Sequence, residues 1–236
     1  MNAYTAEDQK VWKTLFERQL INLQDKSCES YITCLNDMSS VLNSKQIPDF
    51  NQITEWFKTK TKWQIEVVPG MIPVDEFFKL LAEKKFCSST WLRSWDQLDY
   101  LEEPDMFHDV FGHIPLLANP VFSEFACEFG KLGMKAIGNE KLLEELQRLY
   151  WFTIEFGLIN SDKGMRIYGA GLMSSFGESI SSLGNNIEVL PFDMDKILNQ
   201  PFKNDEPQSL YFAIDNLEQL FDSILTLKTA VYELEK

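Results

Sequence analysis

Histidine is nearly missing from this chain: 236 residues hold two. Cysteine is scarce as well. Cys28, Cys34, Cys87 and Cys127 show no CxxC pairing, which excludes a thiolate zinc finger and a dense disulfide framework. No apolar run approaches the length that crosses a bilayer; the longest, Leu149 to Ile159, is interrupted by Thr153 and Glu155. A membrane partner is therefore not expected. Cationic charge is also in deficit, with 22 Lys and Arg against 36 Asp and Glu and a formal charge of −14. Without a basic stripe, such a chain repels polyanions at long range, so nucleic acid is not expected as a partner. There are no repeats, low-complexity tracts or convincing linkers. The charged start MNAYTAEDQK does not read as a signal peptide, and the cytoplasm is the expected location.

Apolar side chains, in contrast, are plentiful at 44%, with eighteen Phe and six Trp, enough for one substantial core. The periodicity predicts a mainly α fold, α+β with a few short strands, in one domain over residues 1–236. Thr5 followed by Asp8 resembles a capping box, and Val11, Trp12, Leu15, Phe16 and Ile21 recur at helical spacing behind it. Helices are predicted for 29–42, for a stretch before Trp63, for PVDEFFKLLAEKKF, for 105–112, for 140–158 and for 217–235. WQIEVVPG and SLYFAI read as strands.

Both histidines fall in PDMFHDVFGHIPLL, as His108 and His113. On an unbroken α-helix, residues five apart point about 140° away from each other. Gly112 and Pro115 supply a remedy: a glycine in the left-handed conformation ends the helix, and His113 swings back from its terminus. A third donor is found in LYWFTIEFGLI, where Glu155 is the only carboxylate in an oily aromatic run. A buried carboxylate must be paired, coordinated or protonated. Two His and one carboxylate, with open positions opposite, point to Fe(II) and oxygen chemistry. His₂Glu also serves catalytic zinc, although the spacing is not that of HExxH. A zinc hydrolase and a non-catalytic iron-binding protein remain the alternatives at this point.

The blocks EEPDMFHDVFGHIPLL, LYWFTIEFGLI and RIYGAGLMSSFGES resemble the three signature segments of the tetrahydropterin-dependent aromatic amino acid hydroxylases, and the short bacterial phenylalanine 4-hydroxylases most of all. The resemblance implies a single catalytic domain, with neither the regulatory domain nor the tetramerisation tail of the animal enzymes, acting as a monomer or weak homodimer. It implies Fe(II) held by His108, His113 and Glu155, with a tetrahydropterin and O2 as co-substrates. The pterin would lie along VVPGMIPVDEFF against Gly70, Ile72 and Phe77, with Asp109 and Tyr150 nearby. An aromatic amino acid would be held by Arg93 on its carboxylate and by Pro104, His108 and Trp151 around its ring, with Ser174 supporting His108 or the substrate. Phenylalanine is the substrate implied first. Asn204, polar where phenylalanine enzymes carry an apolar residue, leaves tyrosine as a second.

Overall fold

The computed structural model describes residues 4–99, 101, 103–204 and 206–233. Helix α1 (Ala6–Asn22) starts as its sequence predicts: the Thr5 side chain accepts from the Asp8 amide, and the Asp8 carboxylate accepts in return from the Thr5 amide at 2.7 Å. Its inner face buries Val11, Trp12, Leu15 and Phe16. Short helices α2 (Glu29–Asp37) and α3 (Phe50–Phe57) follow, and strand β1 (Gln64–Val67) leads into α4 (Val74–Ala82).

The helix predicted over PVDEFFKLLAEKKF is too long. It stops at Ala82, Lys84 takes a positive φ of 55°, and Lys85–Ser88 forms strand β2, paired in parallel with β1. Phe86 and Ser88 turn inward from that strand. Helical spacing in KKF is short enough to be overridden by this pairing.

Helix α5 (Pro120–Ala136) is capped by Asn119, whose side chain accepts from the amides of Val121 and Phe122, with Pro120 in the first turn. It lies against α4 at a distance that only glycine permits: a Cβ on Gly130 would sit 2.4 Å from the Ala82 nitrogen. Beyond α6 (Glu140–Tyr150), the chain forms β3 (Leu158–Ile159), β4 (Arg166–Ile167), α7 (Ala170–Ser174), α8 (Phe176–Ser181), β5 (Glu188–Pro191), α9 (Met194–Asn199), β6 (Leu210–Ile214) and α10 (Leu217–Glu233). The four strands make a small sheet in the order β4-β3-β6-β5, antiparallel only at β3–β4. Helix α10 packs on α5, with Lys228 paired to Glu128. None of the described helices is long and apolar enough to cross a membrane. The mainly α prediction holds.

The two predicted helices that carry the histidines and the glutamate are not regular. Residues His108–His113 and Trp151–Glu155 are both π-helical turns. In this winding the amide bonds to the carbonyl five residues back, as Phe156 does to Trp151 at 2.9 Å. Residues five apart thus become neighbours on one face. Gly112 is not the left-handed helix end predicted above, since the positive-φ glycines among the described residues are Gly70, Gly138 and Gly164. Gly112 instead lets α7 approach: a Cβ there would lie 2.7 Å from the Ala170 carbonyl oxygen. Pro115 opens a short 3₁₀ turn, Pro115–Ala118.

An aromatic layer holds the first π turn from behind. Phe107 stacks on Phe111 at 4.8 Å, Trp12 meets Phe107 edge-on and Phe16 meets Phe111. The Tyr31 hydroxyl donates to the Phe111 carbonyl at 2.5 Å, satisfying an acceptor within the turn. Gly130→Ala is expected to destabilise the fold by about 1–3 kcal/mol through overpacking of α4 on α5. Thermal or urea unfolding measures this, and an unchanged midpoint would contradict the close-packing argument.

Candidate metal centre and cavity

The two π turns, with α7 between them, bring three donors together. His113 Nε2 lies 3.1 Å from His108 Nε2 and 3.1 Å from Glu155 Oε1; His108 Nε2 lies 3.7 Å from Glu155 Oε2. Two ligands at right angles, each about 2.1 Å from one ion, stand about 3.0 Å apart. The spacing therefore suits a dication bound on one face. Among the described residues this is the one group of three or more His, Cys, Asp or Glu residues close enough to hold a metal.

Two of the donors, His108 and Glu155, are in the charge state a metal needs. Burial drives His108 down to about 4, against the pull of Glu155, so its imidazole is neutral. Burial works against ionisation of Glu155, but the charge and hydrogen bond of His113, the nearby His108 and a hydrogen bond from Tyr150 bring its carboxyl to about 2. Tyr150 and Glu155 are themselves five residues apart, so the second π turn makes this bond as the first makes the His pair.

The tautomer of His108 follows from its neighbour. Its Nδ1 is 2.8 Å from Ser174 Oγ, and the Ser174 hydroxyl donates to the Ala170 carbonyl at 2.9 Å. With its own proton committed, Ser174 accepts from His108 Nδ1–H, which leaves the Nε2 lone pair free for a metal. Gly169 and Gly171 let this strip pass the glutamate: a Cβ on Gly169 would be 2.4 Å from the Glu155 carbonyl oxygen.

The donors sit in the wall of a cavity of about 690 Å³. Eleven of the thirteen residues nominated from the sequence line it: His108, His113, Glu155, Gly70, Ile72, Phe77, Asp109, Tyr150, Pro104, Trp151 and Asn204. Phe77 meets Tyr150 edge-on at 5.4 Å. Asp109 accepts from the Ser89 amide at 3.1 Å, and burial first of all raises its carboxyl to about 7.

The other two, Ser174 and Arg93, stand behind the wall. Arg93 is buried and grips Asp105 with two side-chain bonds of 2.9 and 2.8 Å, while its amide gives a third to the same carboxylate. Asp105, fully buried, also accepts from the His108 amide at 3.1 Å. Arg93 thus anchors the first π turn, a connection that local pattern does not reveal, because Arg93 and Asp105 are joined only by the fold.

Sequence reasoning missed three more residues. Phe86 packs on His113 at 4.7 Å from strand β2, which was read as helix. Glu178 in α8 is pushed up to about 7 by burial and then by the charge of Glu155. Phe202, in a loop without regular structure, stacks on Trp151.

Removing the Ser174 hydroxyl should free the His108 tautomer. Ser174→Ala is expected to weaken Fe(II) binding by about 10–100-fold, as losses of such supporting bonds do. A metal-competition titration measures it, and unchanged affinity would contradict the tautomer argument.

Known proteins resemble this chain over nearly its whole length. Residues 2–234 match the family described as biopterin-dependent aromatic amino acid hydroxylase. The chain is 45% identical over 226 residues to a phenylalanine-4-hydroxylase of Chromobacterium violaceum, covering 94% of this chain and 74% of that one. A crystal structure of the Chromobacterium violaceum enzyme, described with bound iron(III) and oxidised cofactor 7,8-dihydrobiopterin, superposes with a TM-score of 0.90 at 44% identity, covering 98% of this chain and 82% of that one. The apo structure of the cold-active phenylalanine hydroxylase from Colwellia psychrerythraea 34H gives 0.90 at 36% identity, covering 99% and 91%. This chain belongs to the biopterin-dependent aromatic amino acid hydroxylases.

Proposed function

We propose that this chain, working as a single catalytic domain in the cytoplasm, hydroxylates phenylalanine to tyrosine with Fe(II), a tetrahydropterin and O2. The observation that carries the reading is the convergence of His108, His113 and Glu155 in the wall of an aromatic-lined cavity. The Chromobacterium relative, which is described with iron and a biopterin, supports it. A zinc hydrolase would have no use for the aromatic platform around Phe77, nor would a storage protein.

His108, His113 and Glu155 would hold the iron, and the residues present fit it: two imidazoles and an anionic carboxylate, with Ser174 and Tyr150 fixing their orientation. When bound, iron and pterin supply the oxygen activation, and the protein contributes position and exclusion of water. Phe77 offers its ring to the pterin, with the Gly70–Ile72 backbone for hydrogen bonds and Asp109 also in the lining. Pro104 and Trp151 confine the substrate ring beside His108. Arg93, behind the wall with Nε and Nη2 held by Asp105, is assigned to the substrate carboxylate through its remaining Nη1 on the family resemblance.

Side-by-side assays of phenylalanine, tyrosine and tryptophan with Fe(II), tetrahydropterin and oxygen test the proposal. Tyrosine formation from phenylalanine is expected to dominate, and Glu155→Ala to lose bound iron together with turnover. Full activity of that variant would refute the ligand assignment. Asn204 lines the cavity although it is exposed, and its amide is assigned to a phenolic hydroxyl there. Asn204→Val should therefore lower the rate on tyrosine relative to phenylalanine severalfold; an unaltered ratio would remove Asn204 from specificity.

A further inference from the structure

The indole of Trp151 is gripped by two phenyl rings. Phe202 stacks on it with centroids 4.4 Å apart and planes 15° apart, and Phe156 lies at 4.5 Å and 34°. Two rings so close to one indole would collide if they shared a face, and Phe156 and Phe202 make no ring contact with each other among the described residues. They therefore take opposite faces. Trp151 lines the cavity, so what it presents to an occupant is an edge.

The two jaws differ in their support. Phe156 is buried at the end of the second π turn, one residue after the metal-ligand position Glu155. Phe202 is half-buried and comes from the segment 200–209 between α9 and β6, whose described residues have no regular structure. In that segment, QPFKNDEPQS, it is the one aromatic residue, and the rest is polar or proline. Its ring also meets Phe152 edge-on at 6.3 Å, and it lines the cavity itself, as does Asn204 two residues on. The single phenyl group thus fixes both the orientation of the indole and the place of the loop that carries Asn204.

We propose that Phe202 is a positioning residue that sets affinity for the aromatic substrate, by clamping Trp151 edge-on to the cavity and by pinning the 200–204 segment to its wall. This rests on the reading that the cavity takes an aromatic amino acid. An unclamped indole turns about its side-chain bonds and enters the space where a substrate ring would pack. A stacked aromatic pair of this kind accounts for a factor of up to about ten in an equilibrium constant.

The iron-loaded enzyme carrying Phe202→Leu, which keeps an apolar side chain but loses the flat ring, tests the clamp. Its KM for phenylalanine is expected to rise about tenfold, with bound iron and the KM for tetrahydropterin within twofold of wild type. Phe202→Tyr, which keeps the ring, is expected to restore the phenylalanine KM. Phe202→Met, a second replacement without a ring, should behave as Phe202→Leu does. A phenylalanine KM that stays within twofold in the ringless variants would overturn the proposal. So would iron content and pterin KM shifting by the same factor, or a Tyr variant as impaired as the Leu one. The wild-type assay reports on the function of the cavity independently, and the variant-to-wild-type ratio reports on the clamp.

Discussion

An ionised carboxylate held against two imidazoles inside an aromatic cavity is the constraint around which this structure is organised. Burying Glu155 as an anion costs several kcal/mol unless opposite charge or hydrogen bonds compensate. Hydrogen bonds from His113 and Tyr150 and the nearby His108 provide the compensation, and the result is an anion set beside two imidazole nitrogens. A dication completes such a set. Much of the surrounding structure keeps these three groups from relaxing: Ser174 on one ring, Phe86 on the other, and the Arg93–Asp105 pair on the backbone that carries the first of them.

The π winding is what makes the convergence possible. Five-residue spacing separates side chains on an α-helix and joins them on a π turn, and this fold uses the device twice, for His108 with His113 and for Tyr150 with Glu155. Wide turns are stable here because their surroundings are over-determined. The aromatic layer of Trp12, Phe16, Phe107 and Phe111 packs behind one of them, and the glycine strip of α7 is pressed close to both. Strand β2 and helix α5 serve the cavity in the same way, one delivering Phe86 to His113 and the other backing the α4 helix that carries Phe77.

Much of this was legible in the residues. The capping box at Thr5, the amphipathic helices and the strands at Gln64–Val67 and Leu210–Ile214 follow from local pattern and hold in the structure. The metal-site residues could be nominated because an isolated carboxylate in LYWFTIEFGLI and the only two histidines are rare enough to stand out. The route to their meeting was misread: a glycine-broken α-helix was predicted where a π turn occurs, although the His spacing of five was itself the signal for one. The helix predicted through KKF failed because a parallel partner 21 residues earlier, β1, decides its conformation, and local periodicity carries no trace of that pairing. Asp105 and Phe202 were invisible for a similar reason, since each matters through one distant partner.

The central claim concerns shared coordination, and X-ray absorption of the Fe(II)-loaded protein tests it most directly. The account predicts a first shell of nitrogen and oxygen donors at about 2.1 Å with the outer scattering of two imidazoles. A shell containing sulfur, or one without imidazole scattering, would contradict it.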